Sequence, residues 1–203
     1  MVISTKELLN KYRDYKNPKM KIHNEVKKGN LIYINRGLYE TEKNTPGHLL
    51  GSYIKSPSYL SFEYVLAFYS IIPEFVYVYT LATTKERHIT SYTNSFGSFE
   101  FRDVPSDAFL SGVQSIEENG YTYFMATKEK ALCDLLYTKP PLNSKKQLLS
   151  FLIDSLRIDL DDLKSMNHDD IIELADLYKS TNLKIFKKIM EDFKNGKYPD
   201  WKN

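Results

Sequence analysis

The 203-residue sequence predicts an α+β fold: a small basic N-terminal module, then a larger mixed α/β domain with a helical C-terminal end. Three observations predict it. Two capped helical patterns open the chain and run into a short hairpin pattern by residue 40. Strand-like segments then dominate residues 75–126, and helical periodicity returns after Thr127. The charge also divides unevenly. Residues 1–36 carry nine Lys/Arg against three acids, net +6, whereas residues 37–203 carry nineteen against twenty-three, net −4. Such an asymmetry points to two modules with different partners.

Ser4 followed by Glu7 is a capping-box signature, and the helix it opens carries Leu8, Leu9, Tyr12 and Tyr15 as an apolar stripe. Asn17-Pro18 starts a second helix, with Asn as cap and Pro in the first turn, where its missing N–H costs nothing. Ile22 and Val26 face inward, and Gly29 stops the helix. "LIYINRGLYE" then reads as strands 31–34 and 38–40 turning at Asn35-Arg36-Gly37. Helix, helix and hairpin make the back half of a winged helix-turn-helix, so residues 1–43 read as a DNA-binding domain. Its second helix would enter the major groove and its wing would touch the backbone or minor groove.

At about 100° per residue, placing Ile22 and Val26 on the core puts Asn17, Met20, Asn24, Lys27 and Lys28 on the far face. Lys21 falls on the flank and Lys19 nearer the core. The candidate DNA-binding residues are therefore Asn17, Lys21, Asn24, Lys27, Lys28 and the wing-tip Arg36. Asn can pair with adenine through two bonds, Lys serves guanine or phosphate, and Arg suits phosphate or a narrow minor groove. A merely solvated basic hairpin is the other reading of the same residues.

"EKNTPG", residues 42–47, is polar with a Pro-Gly pair and reads as the linker to a second domain over residues 48–203. There Ser61 caps a helix in which Phe62, Val65, Leu66 and Tyr69 form the buried stripe, stopping before Pro73. Strands follow in "FVYVYTLA", "RHITSYT", "GSFEFRDV", "GVQSIE" and "YTYFMA", the last two flanking a hairpin Asn119-Gly120. Thr127 caps a helix that stops before Pro140. Three more helices follow, roughly 144–156, 168–179 and 182–195. The last has a core stripe of Phe186, Ile189, Met190 and Phe193. Its Lys184, Lys187 and Lys188 are either a solvated face or a second surface for an anionic partner, DNA or RNA.

Several function classes are disfavoured. The longest apolar run, Val65 to Ile72, is far shorter than the roughly 20 residues of a membrane helix, and Lys6 and Glu7 interrupt any signal-peptide core. One cysteine, Cys133, fits a reducing cytoplasm, and within an apolar helix it reads as structural rather than nucleophilic. His23, His48, His88 and His168 are scattered without metal-ligand spacing, and no phosphate-binding glycine loop occurs. No catalytic residue, metal or cofactor is expected. The acids of 159–176 read as helix caps and solvated faces. Glu100 and Asp103 in "FEFRDV" offer a faint echo of a nuclease. Tyr77, Tyr79, Tyr92, Tyr121 and Tyr123 read as sheet core and rim, with base stacking as the alternative.

Three blocks, "GNLIYINRGLY", "SPSYLSFEYVLAFYSIIPE" and "ATKEKALCDLL", lie in order over residues 29–136. In them the sequence resembles the AbiEi antitoxin family of the abortive-infection E systems. The resemblance implies a bacterial type IV antitoxin whose N-terminal winged helix binds inverted repeats in double-stranded promoter DNA and represses its own operon. It further implies a non-enzymatic C-terminal antitoxin domain. This domain would counteract a cognate nucleotidyltransferase toxin encoded alongside, without a stable complex. The competing readings are a metal-dependent nuclease with a winged-helix reader and a plain transcriptional regulator without a toxin partner.

Overall fold

The computed structural model describes residues 1–84 and 88–198. Arg87, the first residue of the strand predicted at 87–93, lies outside the described residues, as do residues 199–203 of the expected C-terminal domain. The fold is mixed α+β and contains two sheets.

The N-terminal unit begins with a strand that local patterning does not reveal, β1 (Val2–Ser4). It continues through α1 (Thr5–Lys11) and α2 (Pro18–Lys27) and ends in the hairpin β2 (Ile32–Asn35) and β3 (Leu38–Glu40). These strands form an antiparallel sheet of order β1-β3-β2. The Ser4–Glu7 capping box is present. Tyr15 departs from the expected stripe: α1 ends at Lys11, leaving Tyr15 exposed with its ring edge-on to Tyr12 at 5.6 Å. Leu8, Ile22 and Leu31 form a small core, lined by Ile3, Leu9, Tyr12, Val26 and Tyr39.

The body contains α3 (Gly51–Ile54), β4 (Tyr59–Leu60), α4 (Phe62–Phe68), β5 (Val78–Thr83), β6 (Thr90–Asn94) and β7 (Gly97–Asp103). Then come β8 (Val113–Glu118), β9 (Tyr121–Ala126), α5 (Lys128–Thr138), α6 (Lys145–Ser150), α7 (Leu160–Ser165), α8 (His168–Leu177) and α9 (Thr181–Lys194). The helix expected at 144–156 changes character: a π-helical turn, Phe151–Ser155, follows α6. The separate helix α7 was not anticipated; Asp159 caps it, accepting from the Asp161 N–H at 2.8 Å.

The second sheet has the order β6-β7-β5-β4-β9-β8. Two antiparallel hairpins, β6–β7 and β8–β9, occupy its ends, and the β5–β7 and β4–β9 pairings are parallel. Two-residue β4 is the bridge between the halves, pairing with β5 on one side and β9 on the other. The β8–β9 turn follows expectation, with Asn119 (φ 51) and Gly120 (φ 78) both left-handed.

The N-terminal unit is seated on this body. Ile34 is buried in the body's own hydrophobic core. The Asn94 amide donates to the Ile34 carbonyl at 3.2 Å, and the Asn35 amide donates to the Ile54 carbonyl at 3.4 Å. Fully buried Glu40 accepts from the Tyr121 hydroxyl at 2.8 Å. The expected linker is held as well. Thr45 is buried, and a Cβ added at Gly47 would lie 2.3 Å from the Tyr79 ring.

Candidate nucleic-acid interface

Helix α2 presents a cationic surface because its one acid is turned inward. Glu25 is buried, accepting from Lys21 Nζ at 2.7 Å and Asn30 Nδ2 at 2.8 Å. The Lys21 bond, then the Asn30 bond, hold its carboxyl below the ordinary value. Lys21 Nζ also lies over the Tyr12 and Tyr15 rings, at 5.6 and 5.2 Å. This candidate contact is thus committed to tying α2 to α1. Asn17 is engaged too, its Oδ1 accepting from the Met20 N–H at 3.1 Å as the helix cap.

Asn24, Lys27 and Lys28 are exposed together toward the end of α2, and neither lysine makes an ion pair among the described residues. Lys19, expected nearer the core, is exposed beside Met20 and His23, because the small core reaches α2 only from Ile22 onward. Arg36 stands apart from these, exposed at the hairpin turn. Its φ of 41 and the 77 of Gly37 are left-handed, and its N–H donates to the Tyr33 hydroxyl at 2.8 Å. The turn is pinned to the start of α1: the Gly37 carbonyl accepts from Thr5 N–H at 2.7 Å and Thr5 Oγ1 at 2.9 Å.

The other carboxylates of this unit are also occupied. Glu7 is held by the Ser4 hydroxyl and N–H, which lower its pKa. Asp14 lies 3.8 Å from Arg13. Glu40 is buried among the Tyr121 hydroxyl, the N–H groups of Thr41 and Glu42, and the N-terminal ammonium. The unpaired charge left at this surface is positive.

The second candidate surface is thinner than the sequence implies. On α9, Lys184 and Lys188 are exposed one turn apart, but Lys187 pairs with Asp176 at 2.6 Å. Lys194 pairs with Asp169, and Lys145 with Asp192. Much of this helix's charge is therefore neutralised within the fold.

Compared with known proteins, the chain matches no protein-family profile and no curated sequence.

Sequence reasoning missed a fully buried, multiply bonded pair of opposite charges. Lys130 and Asp134, one turn apart on α5, are 3.0 Å from each other and fully buried. Lys130 Nζ also donates to the Ala108 carbonyl at 2.7 Å and lies 2.5 Å from the Tyr178 hydroxyl. The second Asp134 oxygen accepts from the Tyr59 hydroxyl at 2.9 Å and from Ser61 Oγ at 2.6 Å. Burial pushes both tyrosine hydroxyls far above their usual pKa, so they stay protonated and donate. Ser61 therefore does not cap α4 through its side chain, as its position suggested; Asp134 takes that hydroxyl instead. Tyr59 and Ser61 belong to the second of the three sequence blocks, Lys130 and Asp134 to the third, and this network is where the two blocks meet. The available signal was Asp134 set inside the apolar stretch Ala131–Leu136, four residues after Lys130 and so on the same helix face.

At the nuclease echo, Glu100 is engaged by a cation. Glu100 accepts from Arg102 Nε at 2.6 Å, and Arg102 also bonds Glu63 at 2.7 Å. No group of three or more His, Cys, Asp or Glu converges among the described residues. Cys133 is buried, and desolvation raises its thiol pKa. Of the tyrosines, Tyr121 and Tyr123 are buried, and Tyr79 packs on Tyr64 and Phe99. Tyr92 stands edge-on to Phe101, and Tyr77 is largely exposed, against Phe75. No helix among the described residues is long and apolar enough to cross a membrane.

Proposed function

We propose that this chain is a DNA-binding antitoxin of the AbiEi kind, a cytoplasmic autorepressor. Its N-terminal unit would be a winged helix reading inverted repeats in the promoter. Its body would oppose a nucleotidyltransferase toxin without a stable complex and without catalysis of its own. The observation that carries the DNA-binding part is the sorting of charge in residues 1–40. Every carboxylate there is buried, capped or beside a cation, whereas Lys27, Lys28 and Arg36 are exposed. An exposed surplus of cations beside an exposed Asn24 suits phosphate contacts that position the chain and a base contact that specifies sequence.

Sharing of one buried network by two of the three blocks supports the antitoxin part, since it gives those blocks a joint structural role. Two experiments test the proposal. The promoter fragment upstream of the gene should bind the purified chain in a strongly salt-dependent manner. Co-expression should rescue growth from a nucleotidyltransferase-like protein encoded next to it. Cleavage of DNA in the presence of Mg²⁺ or Mn²⁺ would overturn the antitoxin assignment.

A further inference from the structure

The N-terminal unit and the body leave a groove of about 450 Å³ between them. One wall runs from Val26 and Gly29 at the end of α2 along β2; the other is the outer strand β6 and its turn, Tyr92 to Ser95. Both β2 and β6 are edge strands of their sheets, so the groove lies between two edges. No residue that lines it is acidic. The exposed Lys27 and Lys28 flank it between the lining residues Val26 and Gly29, and exposed Arg36 follows the lining residue Asn35. The rest of the chain is rich in carboxylates, 26 in all.

We infer that this groove takes a sugar–phosphate backbone of the bound duplex, so that the body, through β6, is part of the DNA interface. The inference rests on the DNA-binding reading above and extends it to residues of the other unit. The Thr93 and Ser95 hydroxyls on the β6 wall, with the exposed Lys27 and Lys28 that flank the groove at the end of α2, form the combination that phosphate contacts use. Exclusion of carboxylates from both walls removes the repulsion that an anionic strand would otherwise meet. The hydrogen bonds from Asn94 to Ile34 and from Asn35 to Ile54 fix the two walls relative to one another, so the groove is preformed.

The test places charge on the β6 wall, at exposed Thr93 and Ser95, and measures binding of a short fluorescein-labelled random-sequence duplex by anisotropy at several salt concentrations. Thr93→Glu/Ser95→Glu should weaken binding and lower the log–log salt slope by about 1 to 2, one or two phosphate contacts at about 0.9 each. Thr93→Lys/Ser95→Lys should tighten binding and steepen the slope. The control pair Ser115→Glu/Thr122→Glu lies on the β8–β9 hairpin at the opposite end of the sheet and should leave binding unchanged. Circular dichroism checks that each variant is folded. If both β6 pairs bind like the wild type while Lys27→Ala/Lys28→Ala weakens binding, the groove assignment is overturned and the N-terminal reading stands. A control pair as damaging as the β6 acids would reduce the effect to net charge and likewise overturn the groove. Wild-type protein that shows no salt-dependent binding would overturn both.

Discussion

The Lys130 ammonium and the Asp134 carboxylate lie 3.0 Å apart with neither side chain exposed, and every polar atom of the pair has a further partner. The bond ties α5 to the bridging strand β4 through Tyr59, to α8 through Tyr178 and to the turn at Ala108. Removing one charge leaves the other buried and unpaired. Asp134→Ala and Lys130→Met should each cost about 3–5 kcal/mol of stability. The double variant Lys130→Met/Asp134→Leu should recover part of that loss. Urea unfolding followed by far-ultraviolet circular dichroism checks this, and a double variant as unstable as the sum of the two singles would refute it.

If the N-terminal unit binds DNA as proposed, its phosphate and base contacts should separate by salt dependence. Lys27→Ala/Lys28→Ala/Arg36→Ala should lower the log–log salt slope of DNA binding by about 2 to 3. Asn24→Ala should cost about 1–3 kcal/mol on the operator and little on random DNA. Substituting Lys184, Lys187 and Lys188 with Ala should leave operator affinity nearly intact. The reverse pattern in anisotropy titrations would place the reader at the C-terminal helix.

Two of the candidate contacts should behave as structural residues instead. Lys21 is bound to Glu25 and Asn17 caps α2. Asn17→Ala should cost about 1 kcal/mol of stability as a lost cap. Lys21→Ala should leave the salt slope at the wild-type value. A slope lowered by a full contact would show that Lys21 leaves Glu25 to reach phosphate.

At the hairpin turn, Gly37 has a φ of +77, and a Cβ there would meet Thr5 Oγ1 at 2.7 Å. Gly37→Ala combines left-handed strain of about 1–2 kcal/mol with displacement of the Thr5 contact. Lower thermal stability and weaker DNA binding are expected together, since the turn carries Arg36. Unchanged stability would mean that the hairpin is not held by α1.

The pH dependence of stability has a definite sign at Glu40. Burial alone would raise its pKa, but bonds from the N-terminal ammonium, the Glu42 N–H, the Tyr121 hydroxyl and the Thr41 N–H outweigh burial and bring it below 4.5. A depressed carboxylate pKa gives stability that is present above the unfolded value and lost as pH falls through the folded one. The urea midpoint of the wild type should fall as acidity increases below about pH 4.5. Glu40→Gln should start lower at neutral pH and fall less steeply. Parallel pH profiles for the two proteins would refute the assignment.

Local chemistry was legible without the fold. Ser4, Asn17 and Thr127 cap their helices through their side chains, and the Arg36-Gly37 and Asn119-Gly120 turns carry left-handed backbone, because caps and turns depend on residues within a few positions of one another. The core stripe of α9 was legible for the same reason. What the sequence could not disclose depends on partners far along the chain. Strand β1 exists because β3, some 36 residues later, gives it hydrogen bonds, and two-residue β4 exists because β5 and β9 flank it. Ser61 looks like a cap until Asp134, 73 residues away, takes its hydroxyl. Lys21 looks like a contact for DNA until the turn after α1 places Tyr12 and Tyr15 beneath it. Composition by itself determined that the N-terminal unit is cationic. Which of its cations face solvent was decided only by tertiary packing, because a charge is neutralised by whichever group the fold brings within bonding distance.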